Sequence, residues 1–268
     1  MRARWLKFES DGSGEVPQIV GTTKVVPASA LFCGPSYNYR EPAYVPSGEW
    51  EALQELTEPA DGGFESVALF ALPNFELKFL RDGPGLPPDD QSLEQAVQAA
   101  AGRWLIPQLK SILAFGQGHR PVGLFRHAAG LPTTTVDRNG LRTGLHVDSW
   151  FGDSLDGRSR RPGRLVFNFG PGLRYFYAVG PRLSQRSSWG LKSSKEIAWA
   201  FLSGSSPKLV IRLTLPPGYG YIADTEDIIH DGSTLDSPQP SYTYTIMANF
   251  DFSQFECQQI FGFSLSER

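Results

Sequence analysis

The chain has 268 residues, a formal net charge of −3 and a sequence pI near 5.8; 40% of it is hydrophobic and 20% charged. That length supports one large core or two small ones, and the composition is that of a folded globular chain rather than a disordered one. The acidic balance argues against a nucleic-acid surface as its main business, because such surfaces need clustered Lys and Arg.

The opening stretch "MRARWLKFES" lacks the apolar segment of a secretion signal, and no apolar run is long enough to cross a bilayer. Cys33 and Cys257 form no CxxC pair and no disulfide framework. The expectation is a soluble cytoplasmic protein with no membrane partner. After an extended, Pro-rich start, "GEWEALQELTEP" places Trp50, Leu53 and Leu56 at helical spacing and predicts a short helix. Residues 92–116 carry the longest helical pattern, with Ser92 as N-cap and Pro107 as a kink.

From about residue 121 the hydrophobic period changes from helical to two. Strands are expected at "VGLFRHA", "LRTGLHV", "RLVFNFG", "LRYFYAV", "KLVIRLTL", "GYGYIAD", "DIIHDG" and "YTYTIMANF", with one helix at "SKEIAWAFLS". Turn signals such as "RNG", "GPG" and "LPPGYG" separate them. Many short strands in this span predict a β-sandwich or small barrel. The whole chain, 1–268, reads as a single domain: a helical and extended flank over 1–120 and a β core over 121–255. Two polar linkers, "SWFGDSLDGRSRRPG" and "GPRLSQRSSWGLKSS", read equally as solvated loops or as a lid over the mouth of the core.

The chemistry centres on "RTGLHVDSWFGD", residues 142–153. Residues i and i+2 of a strand share a face, so His146 and Asp148 present an imidazole and a carboxylate together. His230, in "IADTEDIIHDGST", is the natural third member. Two imidazoles and one carboxylate make the facial triad of non-haem Fe(II) sites, which leaves three coordination positions open. Glu226 shares strand parity with His230 and is a rival carboxylate, although "DTED" also reads as a polar turn. His119 and His127 are expected to be non-ligands. The sequence contains no GxSxG, GxGxxG, GxxxxGK[ST] or HExxH motif.

Through "HVD" at 146–148 and "HDGS" at 230–233, the chain resembles the Fe(II)/2-oxoglutarate-dependent dioxygenase superfamily. The resemblance covers roughly 130 residues and identifies no subfamily. It implies a mainly β, jelly-roll or cupin-like double-stranded β-helix core with flanking helices. It also implies Fe(II) held by His146, Asp148 and His230, chelation of 2-oxoglutarate, use of dioxygen, and a small-molecule substrate such as an amino acid or specialised metabolite. Many members carry an Arg about ten residues after the distal histidine to hold the far carboxylate of 2-oxoglutarate. Here "DGSTLDSPQPSYTYTIMANFDFSQ" holds no Arg or Lys. A buried carboxylate without a cation is costly, so the clamp is expected from Arg174 first, then Arg164 or Arg212. Asn168, Thr143, Tyr175 and Tyr177 are candidates for hydrogen bonds to the metal or co-substrate, and Trp150 and Phe151 for an apolar wall against substrate. The rival readings are an Fe(II) oxidase of the same fold that uses no 2-oxoglutarate, a cupin-like metal-dependent isomerase or lyase, and a non-enzymatic binding module.

Overall fold

A computed structural model describes residues 7–9, 18–32, 38–52, 67–71, five residues between 92 and 99, 119–152, 154–155, 161–179, 182–184, 193–250 and 264–266. In chain order the strands are β1 (Lys7–Glu9), β2 (Gln18–Pro27), β3 (Tyr39–Ala52), β4 (Val67–Ala71), β5 (Arg120–His127), β6 (Arg142–Gly144), β7 (Gly163–Pro171) and β8 (Arg174–Val179). The helix α1 (Ser194–Ser203) follows, and then β9 (Lys208–Leu215), β10 (Tyr219–Ala223), β11 (Ile229–Ser233), β12 (Ser241–Ala248) and β13 (Ser264–Ser266). Every strand expected from residue 121 onward is present, as is the helix. Ser193 caps that helix in a capping box with Glu196, the reciprocal arrangement that satisfies two end donors at once.

Two sheets form the body. One runs β4-β10-β7-β12-β5 and the other β11-β8-β9-β2-β3-β6, while β1 and β13 pair separately. From β5 to β12 the chain passes from one sheet to the other at each step except β8 to β9, which pair within the second sheet. β5, β7, β10 and β12 lie in the first sheet, and β6, β8, β9 and β11 in the second. Strand periodicity then sorts the side chains into two layers. Phe176, Ala178, Ile211, Leu213, Val166, Tyr221 and Ala223 fill one core. The alternate residues Tyr175, Tyr177, Val179 and Val210 pack instead with Ile197, Ala198 and Leu202 of α1. The second sheet is therefore buried on both faces, which explains why β8 is buried at every position.

The first half departs from expectation. Residues 49–52 belong to β3 rather than to a helix, with Trp50 aligned to Thr23 of β2. A short helical spacing pattern lost to sheet pairing, because Trp50 stacks on Tyr177 at 6.3 Å and carries the Arg212 guanidinium at 5.5 Å. The remainder of that segment lies outside the described residues. β2 and β3 extend the second sheet and β4 the first, so this flank is built into the sheets rather than set against them. Ser92, Gln95, Ala96, Gln98 and Ala99 are helical; Pro107, Cys33 and Cys257 lie outside the described residues. Among the described residues no helix is long and apolar enough to cross a membrane.

Candidate metal centre

His146 and His230 are joined through their backbones. His146 N–H donates to the His230 carbonyl at 3.0 Å, and His230 N–H returns a bond to the His146 carbonyl at 2.8 Å. A pair of residues that exchanges both bonds across antiparallel strands projects both side chains from one face. Asp148 follows with its N–H on the Thr225 carbonyl at 3.0 Å. Leu145 and Val147 alternate outward into the layer under α1, leaving His146 and Asp148 on the inner side.

The three side chains converge. One donor atom from each of His146, Asp148 and His230 lies within 4.8 Å of the others, the one such group of His, Cys, Asp or Glu among the described residues. His146 Nε2 is 3.7 Å from Asp148 Oδ1, and His230 Nε2 is 3.8 Å from Asp148 Oδ2. Each histidine places its other nitrogen against the carbonyl two residues before it. His146 Nδ1 lies 2.7 Å from Gly144 O, and His230 Nδ1 lies 3.2 Å from Ile228 O. A carbonyl only accepts, so both Nδ1 atoms carry the proton and both Nε2 lone pairs face the carboxylate. Gly144 makes its part possible: it sits at φ +66°, and a Cβ there would fall 2.5 Å from the Tyr44 carbonyl oxygen.

The electrostatics suit a divalent ion. Burial alone would raise the Asp148 carboxyl, but His146, His230 and Arg164 outweigh it and hold the group well below the usual carboxylate range. Burial, aided by the charges of His146 and Arg164, pushes His230 down to about 3 against the pull of Asp148. Burial pulls His146 down too, yet the carboxylates of Asp148 and Asp231 bring it net above its ordinary value. With the rings 4.7 Å apart, His146 is the ring whose acidic neighbours favour a second proton, and His230 the ring that burial keeps neutral. A buried anion facing two imidazole lone pairs is a donor set that fits Fe(II) and differs from a thiolate zinc site.

Around this cluster the expected residues separate. Arg164 Nε is 2.8 Å from Asp148 Oδ2, and its guanidinium lies over the Trp150 ring at 4.9 Å. Glu226 is no rival ligand: it accepts the Trp150 N–H at 2.8 Å and pairs with Arg161 at 3.3 Å. "DTED" is a turn, and its acids hold both polar linkers. Arg182 bonds Asp224 at 2.7 Å and Asp227 at 3.0 Å. Ser154 and Ser193 bridge one linker to the other. The described residues of both linkers are thus tied to this turn and to each other, and the rest of the two segments lies outside the described residues.

Arg174 lies on the inner side of β8, sharing parity with Phe176 and Ala178, and Ala178 is aligned with His230. Its Nη2 donates to Thr134 Oγ1 at 3.0 Å, while Nε and Nη1 are buried without a hydrogen-bond partner. Burial lowers it from its ordinary value, with Tyr221 and Asp231 opposing. Arg212 lies on the other face, 5.5 Å from the Trp50 ring and 5.4 Å from the Tyr175 ring. That position makes it a cation stacked in the outer layer. Tyr175 and Tyr177 share that layer and so do not reach the cluster.

Three further expectations change. The Asn168 amide donates to Gly172 O and Leu215 O, and its oxygen accepts the Gly170 N–H; it braces the β7–β8 turn, with both donors committed there. The Thr143 hydroxyl contacts the Thr135 carbonyl at 3.4 Å and serves the loop beside β6. Phe151 is about half exposed in the turn after Trp150. His127 hydrogen-bonds Thr243 at 3.0 Å and stays apart from the triad, as does His119.

Sequence reasoning missed the "TTT" run at 133–135. Thr135 Oγ1 donates to Asp231 Oδ1 at 3.0 Å, Thr134 holds Arg174, and the Thr133 carbonyl accepts from Arg142 at 2.9 Å. Three adjacent hydroxyls in a loop between strands were its one signal. Tyr221 was missed as well; it stacks on Phe176 at 3.8 Å, and burial raises its phenol to about 12.

No family model matches the sequence, and no curated protein matches it. Two solved structures do, both of the Kdo hydroxylase KdoO, a non-heme Fe(II) alphaketoglutarate dependent dioxygenase. One, in complex with succinate and Fe(III), shares 16% identity over 70% of this chain and 81% of that chain, with a TM-score of 0.35. The other, in complex with cobalt(II), shares 15% identity over the same fractions, with a TM-score of 0.38. They belong to the class named by the H-x-D…H resemblance. The side chains described above, rather than this partial likeness in shape, carry the chemistry.

Proposed function

We propose that this chain is a non-haem Fe(II)/2-oxoglutarate-dependent oxygenase that hydroxylates, desaturates or cyclises a small molecule. The observation that carries the reading is the convergence of His146, Asp148 and His230, with both Nε2 lone pairs facing one ionised carboxylate. The repeated passage of the chain between two sheets from β5 to β12, broken only at the β8–β9 hairpin, supports a double-stranded β-helix core within a single domain spanning 1–268.

His146, Asp148 and His230 would hold Fe(II) on one face and leave three positions for co-substrate and dioxygen. Fe(II) and 2-oxoglutarate, when bound, would supply the electrons that activate dioxygen, the oxidant, against an unactivated C–H bond. The chain supplies position, charge and dryness. Arg174 offers a two-pronged edge, Nη2 with its unsatisfied neighbour Nε or Nη1, for the distal carboxylate of 2-oxoglutarate. Its head group lies against Gly232, two strand residues and so about 7 Å from His230 along β11, within reach of a five-carbon diacid bound at the metal. Phe176 and Tyr221, stacked and buried beside His230, exclude water from that path. Arg164 and Trp150 stand where Asp148 meets the exposed turn, the side from which a substrate would approach. The presence of a carboxylate ligand favours oxygenation over halogenation. A cytoplasmic location, with dioxygen and a small molecule as partners, suits this chemistry.

The test is anaerobic titration with Fe(II) and then 2-oxoglutarate. A weak visible charge-transfer band is expected only when both are bound. Iron binding without the band would favour an oxidase that does not use 2-oxoglutarate. No metal binding would favour a binding module.

A further inference from the structure

The glycine of "HDGS" has no turn to make. Gly232 lies within β11, aligned with Phe176 of β8. A Cβ at this position would fall 2.2 Å from Arg174 Nη2 and 2.8 Å from its Cζ, and 2.7 Å from Thr134 Oγ1. The guanidinium therefore occupies the volume that any other residue would fill. Thr134 completes the seat beside it. Its Oγ1 accepts Nη2 at 3.0 Å, and its N–H donates to the Gly232 carbonyl at 2.8 Å. Thr134 is 7% exposed and Arg174 6%. Thr134 takes one N–H of Nη2, and the atoms on either side of that nitrogen in the guanidinium, Nε and Nη1, have no hydrogen-bond partner, so each edge that includes Nη2 can still present two parallel donors.

We infer that Gly232 and Thr134 are positioning residues that seat the Arg174 guanidinium and thereby set the distance between the metal triad and the anion clamp. The inference rests on the reading of Arg174 as the holder of the co-substrate carboxylate, and it adds what fixes that residue's reach. A planar guanidinium binds a carboxylate through two parallel bonds only when its rotation is fixed. A flexible arginine stem does not fix it; a backbone gap that admits the head group and an adjacent acceptor that holds it do. The same cradle explains why a strand that presents a metal ligand carries a residue of poor strand propensity two positions on.

The experiment uses full-length protein loaded with Mn(II) and titrated calorimetrically with 2-oxoglutarate, alongside metal titration without co-substrate. Thr134→Val keeps the shape and removes the acceptor. It should weaken 2-oxoglutarate binding by about tenfold or more, the scale of a lost hydrogen bond to a charged group, while Mn(II) affinity stays unchanged. Thr134→Ser should retain wild-type binding. Gly232→Ala should weaken the co-substrate at least as much, and Arg174→Lys added to it should recover part of the loss, because a compact ammonium fits beside the new methyl. Unchanged 2-oxoglutarate affinity in Thr134→Val and Gly232→Ala, with the wild type binding normally, overturns the cradle alone. Wild-type protein that takes Mn(II) but no 2-oxoglutarate overturns the clamp reading and the cradle with it.

Discussion

Arg174 and Arg212 stand on neighbouring strands of one sheet, each beside aromatic rings, yet they occupy opposite environments. Arg174 faces the space between the sheets, seated on Gly232 and Thr134 with two donor atoms unsatisfied. Arg212 faces the layer under α1, stacked against Trp50 and Tyr175. Strand parity alone separates a cation available to an anionic ligand from one consumed by packing. The same division runs the length of the second sheet. His146, Asp148, His230 and Phe176 turn inward, while Leu145, Val147, Tyr175 and Tyr177 turn outward. Chemistry is confined to one face and stability to both.

The widest contrast between the faces should come from the metal centre. Asp148→Ala removes the only anion among the three converging donors and should lower Co(II) affinity by more than about a hundredfold, beyond the effect of losing an outer partner. Iron-dependent turnover should vanish with it while the circular dichroism spectrum is retained. Glu226→Gln, by contrast, should leave Co(II) affinity unchanged, since Glu226 holds Trp150 and Arg161. Next come the two arginines. Arg174→Ala should raise the apparent dissociation constant for 2-oxoglutarate by the equivalent of about 3–5 kcal/mol, the scale of a buried ion pair losing one partner. Arg212→Ala should leave that constant unmoved and lower stability in urea by about 1 kcal/mol through lost stacking; a change in co-substrate binding here would break the comparison.

On the outer layer, Ile197→Ala should cost about 2–4 kcal/mol of unfolding free energy, as for other truncated core aliphatics, with no change in metal affinity per folded molecule. The mildest effect is on pH. Asp148 and Asp231 hold the metal-free His146 above its ordinary value, whereas His230 at about 3 stays neutral. Metal binding must therefore displace one proton, from His146. Co(II) affinity should fall by about tenfold per unit as pH drops below that raised value and level off above it. A flat profile between pH 5 and 8 would show that His146 binds no proton there.

Much of this arrangement was legible in the chain. Period-two patterning marked the strands from 121 onward, and H-x-D placed two donors on one face, because strand geometry leaves no other choice. The early segment misled for a physical reason: "GEWEA" carries helical spacing too short to outweigh the pairing of β3 with β2 and the seat of Trp50 on Tyr177. Asn168 misled differently. Its residue type fitted a ligand-binding role, but the backbone around the β7–β8 turn takes both of its donors and bonds its oxygen.

What the sequence determined by itself was local: which residues alternate, where turns break them, and which donor types lie two apart. Whether His230 meets His146, whether Arg174 or Arg212 turns inward, and why a side chain at position 232 would displace the Arg174 guanidinium were decided only when the sheets closed. Those outcomes depend on pairing between strands remote in the chain, and a register shift of one residue would send every such side chain to the opposite face.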